Sequence, residues 1–358
     1  MKQLGTIALL ILLIISGGAW VGNKKHIFRT TPITFRVPRG WPQPVYDFKN
    51  NPLTEEGFEL GRKLFYDGRL SRDGNFPCAS CHQQFAAFAT YDHSFSHGYN
   101  NTLTTRNAPG LFNLAWQKRF MQDGGINHLD VQPLTPITAP NEMGESIDSV
   151  LYRLQKDSAY PRMFAAAFGS DTITTRRLCK AISQFLVMLV SDNSLYDRVM
   201  RGEARFNLPE KLGYAIFRQK CEGCHREPFF TDFSYRNVGL AADPFLNDSG
   251  RMRITGLRAD SLKFRVPSLR NVMVTAPYGH DGRFFDLMHV FNHYRSGVIN
   301  SPTTDSLVRN NLYLSNYEIG QLTAFLATLT DSAFLKNPRF GPSNDLERSL
   351  QFKSHLMH

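Results

Sequence analysis

Two stretches of this 358-residue chain could do metal or redox chemistry: CASCH at residues 78–82 and CEGCH at residues 221–225. Each sets two cysteines two residues apart and follows them with a histidine. Structural zinc sites, redox dithiols and covalently attached haems all use such cysteine pairs. A zinc site built from two CxxC pairs spaces them by about 15–20 residues, whereas Cys81 and Cys221 stand 140 positions apart. A thioredoxin-like pair follows a strand, and GNFPCASCHQQF has no β-branched run ahead of its cysteines. The haem reading uses all three residues at once. The thiols add to the two vinyl groups, and the histidine reaches the iron from one side. It assigns Cys78, Cys81 and His82 to one covalently bound c-type haem and Cys221, Cys224 and His225 to a second. The groups on the opposite faces then decide the chemistry. Two tightly ligated irons make an electron carrier, and one openable iron makes an enzyme.

Ahead of each motif lies the pattern of an amphipathic helix. In LTEEGFELGRKLF, Thr54 is placed to cap the helix, with Glu55 and Glu56 in its first turn. In LPEKLGYAIF, Pro209 suits the first helical position. Leu60-Gly61-x-x-Leu64-Phe65 aligns with Leu212-Gly213-x-x-Ile216-Phe217. Each glycine would let another helix approach closely while the larger side chains face a core. A repeated helix with a repeated motif predicts two related domains, residues 40–195 and 196–345, divided near SDNSLYDRVMRGE. LCKAISQFLVMLVS is the strongest core helix. Long Gly-, Pro- and Asn-rich loops such as TDFSYRNVGLAADPFLNDSG are expected to wrap a large prosthetic group.

Four of the five cysteines belong to the two motifs. The fifth, Cys179, falls in the core helix and is expected as a buried free thiol, so no disulfide framework is predicted. Residues 1–25 read as an export signal: Lys2, the apolar run TIALLILLIISGGAWVG, and a small-x-small step at Gly17 and Ala19. The run is also nearly long enough to stay in a membrane. The expected location is therefore the periplasm, with the segment either removed or kept as an inner-membrane anchor. The net charge of +10 is spread without basic blocks or an interleaved aromatic platform. That argues against a nucleic-acid partner and for a surface that steers an acidic protein.

The ordered series ELGRKLFYDGRLS, CASCH, TRNAPGLFN, HLDVQPLTPITAPNEMG, CEGCH and FRVPSLRNVMVTAPYGHDGRF resembles the bacterial dihaem cytochrome c peroxidase family, MauG-type enzymes included, over residues 45–335. The resemblance implies an all-α fold of two cytochrome c-like domains with long loops, each wrapping one haem, and a calcium ion between them. The N-terminal haem would meet hydrogen peroxide. The C-terminal haem would relay electrons from a small donor protein, a cytochrome c or a cupredoxin. A homodimer is compatible with it. Glu142, in PNEMG, stands where the family has its distal carboxylate, which moves a proton from one peroxide oxygen to the other. Gln132, in DVQPL, matches a distal amide that could hold peroxide or water. His97, in FSHGYNN, resembles the histidine that caps the peroxidatic iron of resting peroxidase-type members and that MauG-type members lack. Asn107, Thr275 and Pro277 match the calcium positions, and oxygen donors suit that cation.

Two departures matter. Peroxidase-type members ligate the second iron with a methionine fourteen residues after the histidine of HDG; counted from His280, that position is Tyr294. Leu287, Val290, Phe291 and Tyr294 share one helical face, whereas His289 and His293 are expected to be exposed and Met288 sits off the apolar stripe. A tyrosinate ligand favours ferric and higher states and matches the MauG-type branch. The family's inter-haem tryptophan is replaced by Gln122 in RFMQDGG, a side chain that cannot be oxidised to a relay radical. The expected function is peroxide reduction. The alternatives are MauG-type oxidation of a partner protein's side chain and non-catalytic electron carriage by two haems.

Overall fold

The computed structural model describes residues 29–342; the export signal expected at 1–25 and residues 343–345 of the expected second domain lie outside them. The first half contains α1 (Glu55–Phe65), α2 (Leu134–Thr138), α3 (Ile147–Lys156), α4 (Tyr160–Phe168) and α5 (Thr175–Val187). The second contains α6 (Leu195–Met200), α7 (Leu208–Lys220), α8 (Met252–Thr255), α9 (Leu287–Asn292), α10 (Asn316–Ala327) and α11 (Ser332–Leu335). One antiparallel ribbon pairs β1 (Tyr235–Arg236) with β2 (Phe264–Arg265), Tyr235 opposite Arg265. No helix among the described residues is long and apolar enough to cross a membrane.

Helix α1 starts as its sequence dictates. Thr54 Oγ1 accepts from the Gly57 N–H at 3.0 Å, with Glu55 and Glu56 in the first turn. Helix α7 is capped one residue earlier than Pro209 suggests. Asn207 and Glu210 form a reciprocal capping box, and Pro209 takes the second helical position.

The two aligned glycines do the same work in each half. A β-carbon on Gly61 would overlap the Ala181 carbonyl oxygen of α5, and one on Gly213 would overlap the Gln321 carbonyl oxygen of α10. Each motif-bearing helix therefore packs backbone to backbone on one partner helix. Gly213→Val is expected to destabilise the protein by roughly 3 kcal/mol through this overlap, read as a lowered thermal midpoint by circular dichroism.

One buried cluster gathers Phe58, Leu60, Phe65, Phe88 and Phe185, and a second gathers Phe217, Phe230, Leu322 and Phe325. Phe229, Phe334 and Phe340, from the second half of the chain, belong to the first cluster. Cys179 is buried on α5, as expected. Arg270, fully buried, holds Asp197 of α6 with two bonds of 2.8 and 2.9 Å and donates from Nε to the Pro228 carbonyl at 2.8 Å. This clamp fixes the chain on both sides of the second motif's wall, and removing either charge would leave the other buried and unpaired.

Candidate functional site

At the first motif the backbone folds into a tight turn. The Cys81 and His82 N–H groups both donate to the Cys78 carbonyl, at 3.2 and 3.0 Å. At the second, Cys224 and His225 repeat the pattern on the Cys221 carbonyl, at 3.2 and 3.0 Å. Each turn puts two thiols and one imidazole together. His82 Nδ1 lies 2.7 Å from the Phe88 carbonyl, and His225 Nδ1 lies 3.1 Å from the carbonyls of Phe230 and Pro267. A carbonyl accepts only if Nδ1 carries the proton, which leaves Nε2 with the free lone pair a metal needs. Phe88 and Phe230 turn those carbonyls inward from left-handed backbone, at φ 58° and 54°. Burial also pushes both imidazole pKa values down, favouring the neutral, ligating form.

The surroundings of the two motifs differ. Cys78, Cys81 and His82 share a small cavity with Gln132, Glu142 and Met143, enclosing about 60 Å³. Burial raises the Glu142 pKa, and its carboxylate in turn raises those of the Cys78 and Cys81 thiols after their own burial. Glu142 is held through its main chain: its N–H donates to the Ala139 carbonyl at 3.0 Å, and its carbonyl accepts from the Tyr99 N–H at 2.7 Å. Gln132 donates from Nε2 to Met121 Sδ at 3.8 Å. The sequence-predicted carboxylate, amide and attachment residues thus meet in one place.

His97 does not join them. It is exposed, its Nδ1 lies 2.7 Å from Asn101 Oδ1, and it packs edge-on against His93 at 5.6 Å. Only its carbonyl approaches the motif, 3.8 Å from Cys81 Sγ.

Cys221, Cys224 and His225 line a much larger cavity of about 680 Å³, together with Tyr294, Gln122, Asn107, Thr275 and Pro277. Leu240, Ala241, Ala242, Asp243 and Leu246 of the long loop contribute to its wall. Burial drives the Tyr294 phenol pKa far above its ordinary value, with the Cys224 and Cys221 thiolates adding to the effect. Met288 is half-exposed and does not line this space.

One expectation needs correcting. His289 is exposed, but His293 is buried, 2.9 Å from Nε2 to the Val238 carbonyl. The cause is a π-turn over His293–Gly297 directly after α9. Its wider winding departs from the 3.6-residue period, so adjacent residues His293 and Tyr294 both reach the cavity wall.

The donor sets fit covalently held haem at both motifs. The cavity of about 680 Å³ at the second also has room for a porphyrin, whereas the space of about 60 Å³ at the first would widen around one. A further sign was missed at the sequence level. Arg265 Nε and His280 Nδ1 are buried without hydrogen-bond partners, and both side chains line the larger cavity. Burial pushes the Arg265 pKa down, and His280 is stacked on Phe264 at 3.7 Å. A buried guanidinium without a carboxylate needs an anion, and the carboxylate edge of a porphyrin supplies one. In FRVPSLRN, Arg265 stands between Phe264 and Val266, which does not tell that its guanidinium lacks a partner.

Asn107, Thr275 and Pro277 reach the same wall, where Asn107 Nδ2 faces the His93 and Ser94 carbonyls at 3.3 and 3.2 Å. Among the described residues no group of three or more His, Cys, Asp or Glu side chains is arranged to hold a metal ion. Gln122 is a strut: its Nε2 donates to the carbonyls of Asn107 at 2.7 Å and His280 at 3.3 Å.

Comparison with known proteins agrees with this geometry. The family model described as di-haem cytochrome c peroxidase matches residues 55–205. A methylamine utilization protein MauG from Methylorubrum extorquens is 36% identical over 301 residues, covering 82% of this chain and 83% of the relative. A cytochrome c551 peroxidase from Nitrosomonas europaea is 32% identical over 319 residues, covering 87% and 92%. The crystal structure of a MauG-like protein associated with microbial copper homeostasis superposes with a TM-score of 0.80 at 33% identity, covering 86% of this chain and 99% of that one.

Proposed function

This chain belongs to the di-haem cytochrome c peroxidase and MauG family of oxidoreductases, and on that premise we propose that it reduces hydrogen peroxide to water in the periplasm, with electrons from a small redox protein. The observation that carries this reading is the shared cavity of Glu142 and Gln132 with Cys78, Cys81 and His82. An electron carrier has no use for a buried carboxylate beside one of its two attachment motifs.

Haem, covalently held at each motif, would supply the electron transfer that breaks the O–O bond. The protein's residues do the rest. Glu142, in its basic form, takes the proton from the near peroxide oxygen and returns it to the departing one. Gln132 has its Nε2 turned to Met121, and its carbonyl oxygen accepts no bond within the described protein, so it can receive one from peroxide. His82 Nε2 is kept unprotonated by the Phe88 carbonyl on the other side of the ring. A calcium ion at the Asn107 wall would have to turn that amide's oxygen toward the His93 and Ser94 carbonyls.

A second reading draws on Tyr294. A phenolic side chain over the Cys221, Cys224 and His225 site favours oxidised iron over an electron reservoir, as suits a MauG-type oxidase acting on a partner protein's side chain. Steady-state assay separates the two. The peroxidase reading expects peroxide-dependent oxidation of a reduced small cytochrome or cupredoxin by protein carrying two covalent haems. Two attached haems with no such turnover would reject it.

A further inference from the structure

The first core contains a connected run of aromatic rings, with two oxidisable indoles and one phenol among them, that the peroxide chemistry does not use. Residues 41–48 lie along residues 113–117: the Val45 and Tyr46 N–H groups both donate to the Ala115 carbonyl, and Trp116 Nε1 donates to the Pro42 carbonyl at 2.7 Å. Trp41 and Trp116 meet at 5.0 Å, and both touch Phe229, at 4.9 and 5.5 Å. Phe229 lines the larger cavity. From Trp116 the rings continue through Phe35 at 5.6 Å and Phe48 at 4.7 Å to Tyr46 at 5.1 Å.

Aromatic packing alone would explain most of this run, since rings dominate core energetics. It does not explain the far end. The Tyr46 hydroxyl donates to Asp130 Oδ1 at 2.6 Å and accepts from Asn51 Nδ2 at 2.7 Å. Removing an electron from a phenol makes its proton strongly acidic, so the loss is easiest where a base already holds that proton. Asp130 is such a base. The indoles differ from the phenol and from each other. Trp116 has only a carbonyl at Nε1, which cannot take a proton. Trp41 lies 4.7 Å from the Arg270 guanidinium, whose charge opposes a second positive charge on that ring. An oxidising equivalent is therefore better placed on Trp116 than on Trp41, and better still on Tyr46.

We propose that Trp116 and Tyr46 form an outlet that carries oxidising equivalents from the larger cavity to the face of residues 41–48, where a one-electron reductant can quench them. Hydrogen peroxide is the oxidant, taking up two electrons and two protons to become two waters. Each passage delivers one electron through Trp116 toward the cavity, so two passages supply both, and the two protons come from solvent. Tyr46 then gives one electron to Trp116 and its proton to Asp130, leaving a neutral phenoxyl radical. An external reductant returns the electron, and Asp130 returns the proton. The inference rests on the peroxide reading above.

The test uses ferric holoprotein with one equivalent of hydrogen peroxide and a nitroso radical trap, followed by digestion and mass spectrometry. The trap is expected on Tyr46. In Trp116→Phe and in Asp130→Asn, each still carrying two haems, that adduct is expected to fall by about tenfold or more. Asp130 is only part-buried, so its variant serves if the Trp116 variant does not fold. No adduct on Tyr46 in the unmodified protein overturns the outlet, as does an adduct undiminished in the variants that fold. If peroxide is not consumed at all, hexachloroiridate(IV) replaces it as a one-electron oxidant. Labelling of Tyr46 that depends on Trp116 or Asp130 then supports the outlet while the peroxide reading fails, and labelling that ignores both residues, or none, rejects it.

Discussion

Glu142→Gln is expected to keep both haems attached and to lower peroxide turnover by roughly two to four orders of magnitude, the usual worth of a positioned acid–base group. Glutamine is nearly isosteric and can still occupy the small cavity with Gln132, Cys78, Cys81 and His82, but it cannot carry the proton between the peroxide oxygens. Burial raises the Glu142 pKa above its unfolded value, and this gives the prediction a second, opposite readout. Between the unfolded and the raised folded pKa the native state holds a proton that the unfolded chain has lost. Stability therefore falls as pH rises through that window, and the ionised carboxylate is a net cost above it. The variant removes that cost, so its thermal midpoint at neutral pH should equal or exceed that of the unmodified protein. Turnover of the unmodified enzyme should rise with pH through the same window, because the basic form starts the reaction, and the variant should lack this limb. Equal turnover in the two proteins, or a variant that loses activity only by losing stability, would remove Glu142 from the mechanism.

Tyr294→Met is expected to raise the reduction potential of the second haem by on the order of a few hundred millivolts. Methionine sulfur favours ferrous iron, and a phenolate favours ferric. The substitution suits the space, since Tyr294 projects into a wide cavity among Leu287, Val290 and Phe291. Spectroelectrochemical titration would show two well-separated midpoints in the variant where the unmodified protein titrates both haems at low potential. Reactivity should move with the potential: the variant should respond to peroxide best once its second haem has been reduced. An unchanged midpoint would mean that Tyr294 does not ligate the iron and is a wall residue like its neighbours.

The sequence was most legible where a local rule acts alone. Thr54 caps α1 because its hydroxyl needs only the backbone three residues on. Gly61 and Gly213 announce helix contacts because no larger residue fits against the Ala181 and Gln321 carbonyls. The two CxxCH turns fold on their own hydrogen bonds. Legibility failed where a residue's setting depends on distant chain. His293 departs from its helical pattern because a π-turn breaks the period that would place it outward. Arg265 and His280 carry no local mark of being unpartnered; that follows from β2 and the chain around residue 280 closing one wall. Gln122 could be recognised as unable to relay electrons, but its bonds to the Asn107 and His280 carbonyls join segments 15 and 158 residues away. Asn207 is legible locally, since Asn-x-x-Glu ahead of an apolar run is a capping signature.

The central claim is that peroxide is cleaved at the Cys78, Cys81 and His82 site. The most direct measurement mixes one equivalent of hydrogen peroxide with the fully ferric and the half-reduced holoprotein, under rapid-scan absorption and freeze-quench EPR. At least one form is expected to consume the peroxide stoichiometrically with a prompt spectral change. Reaction of the ferric form would favour the MauG-type chemistry that Tyr294 suggests, and reaction of the half-reduced form alone would favour the peroxidase. Two spectra unmoved by peroxide in both redox states would contradict the claim and leave an electron carrier with two haems.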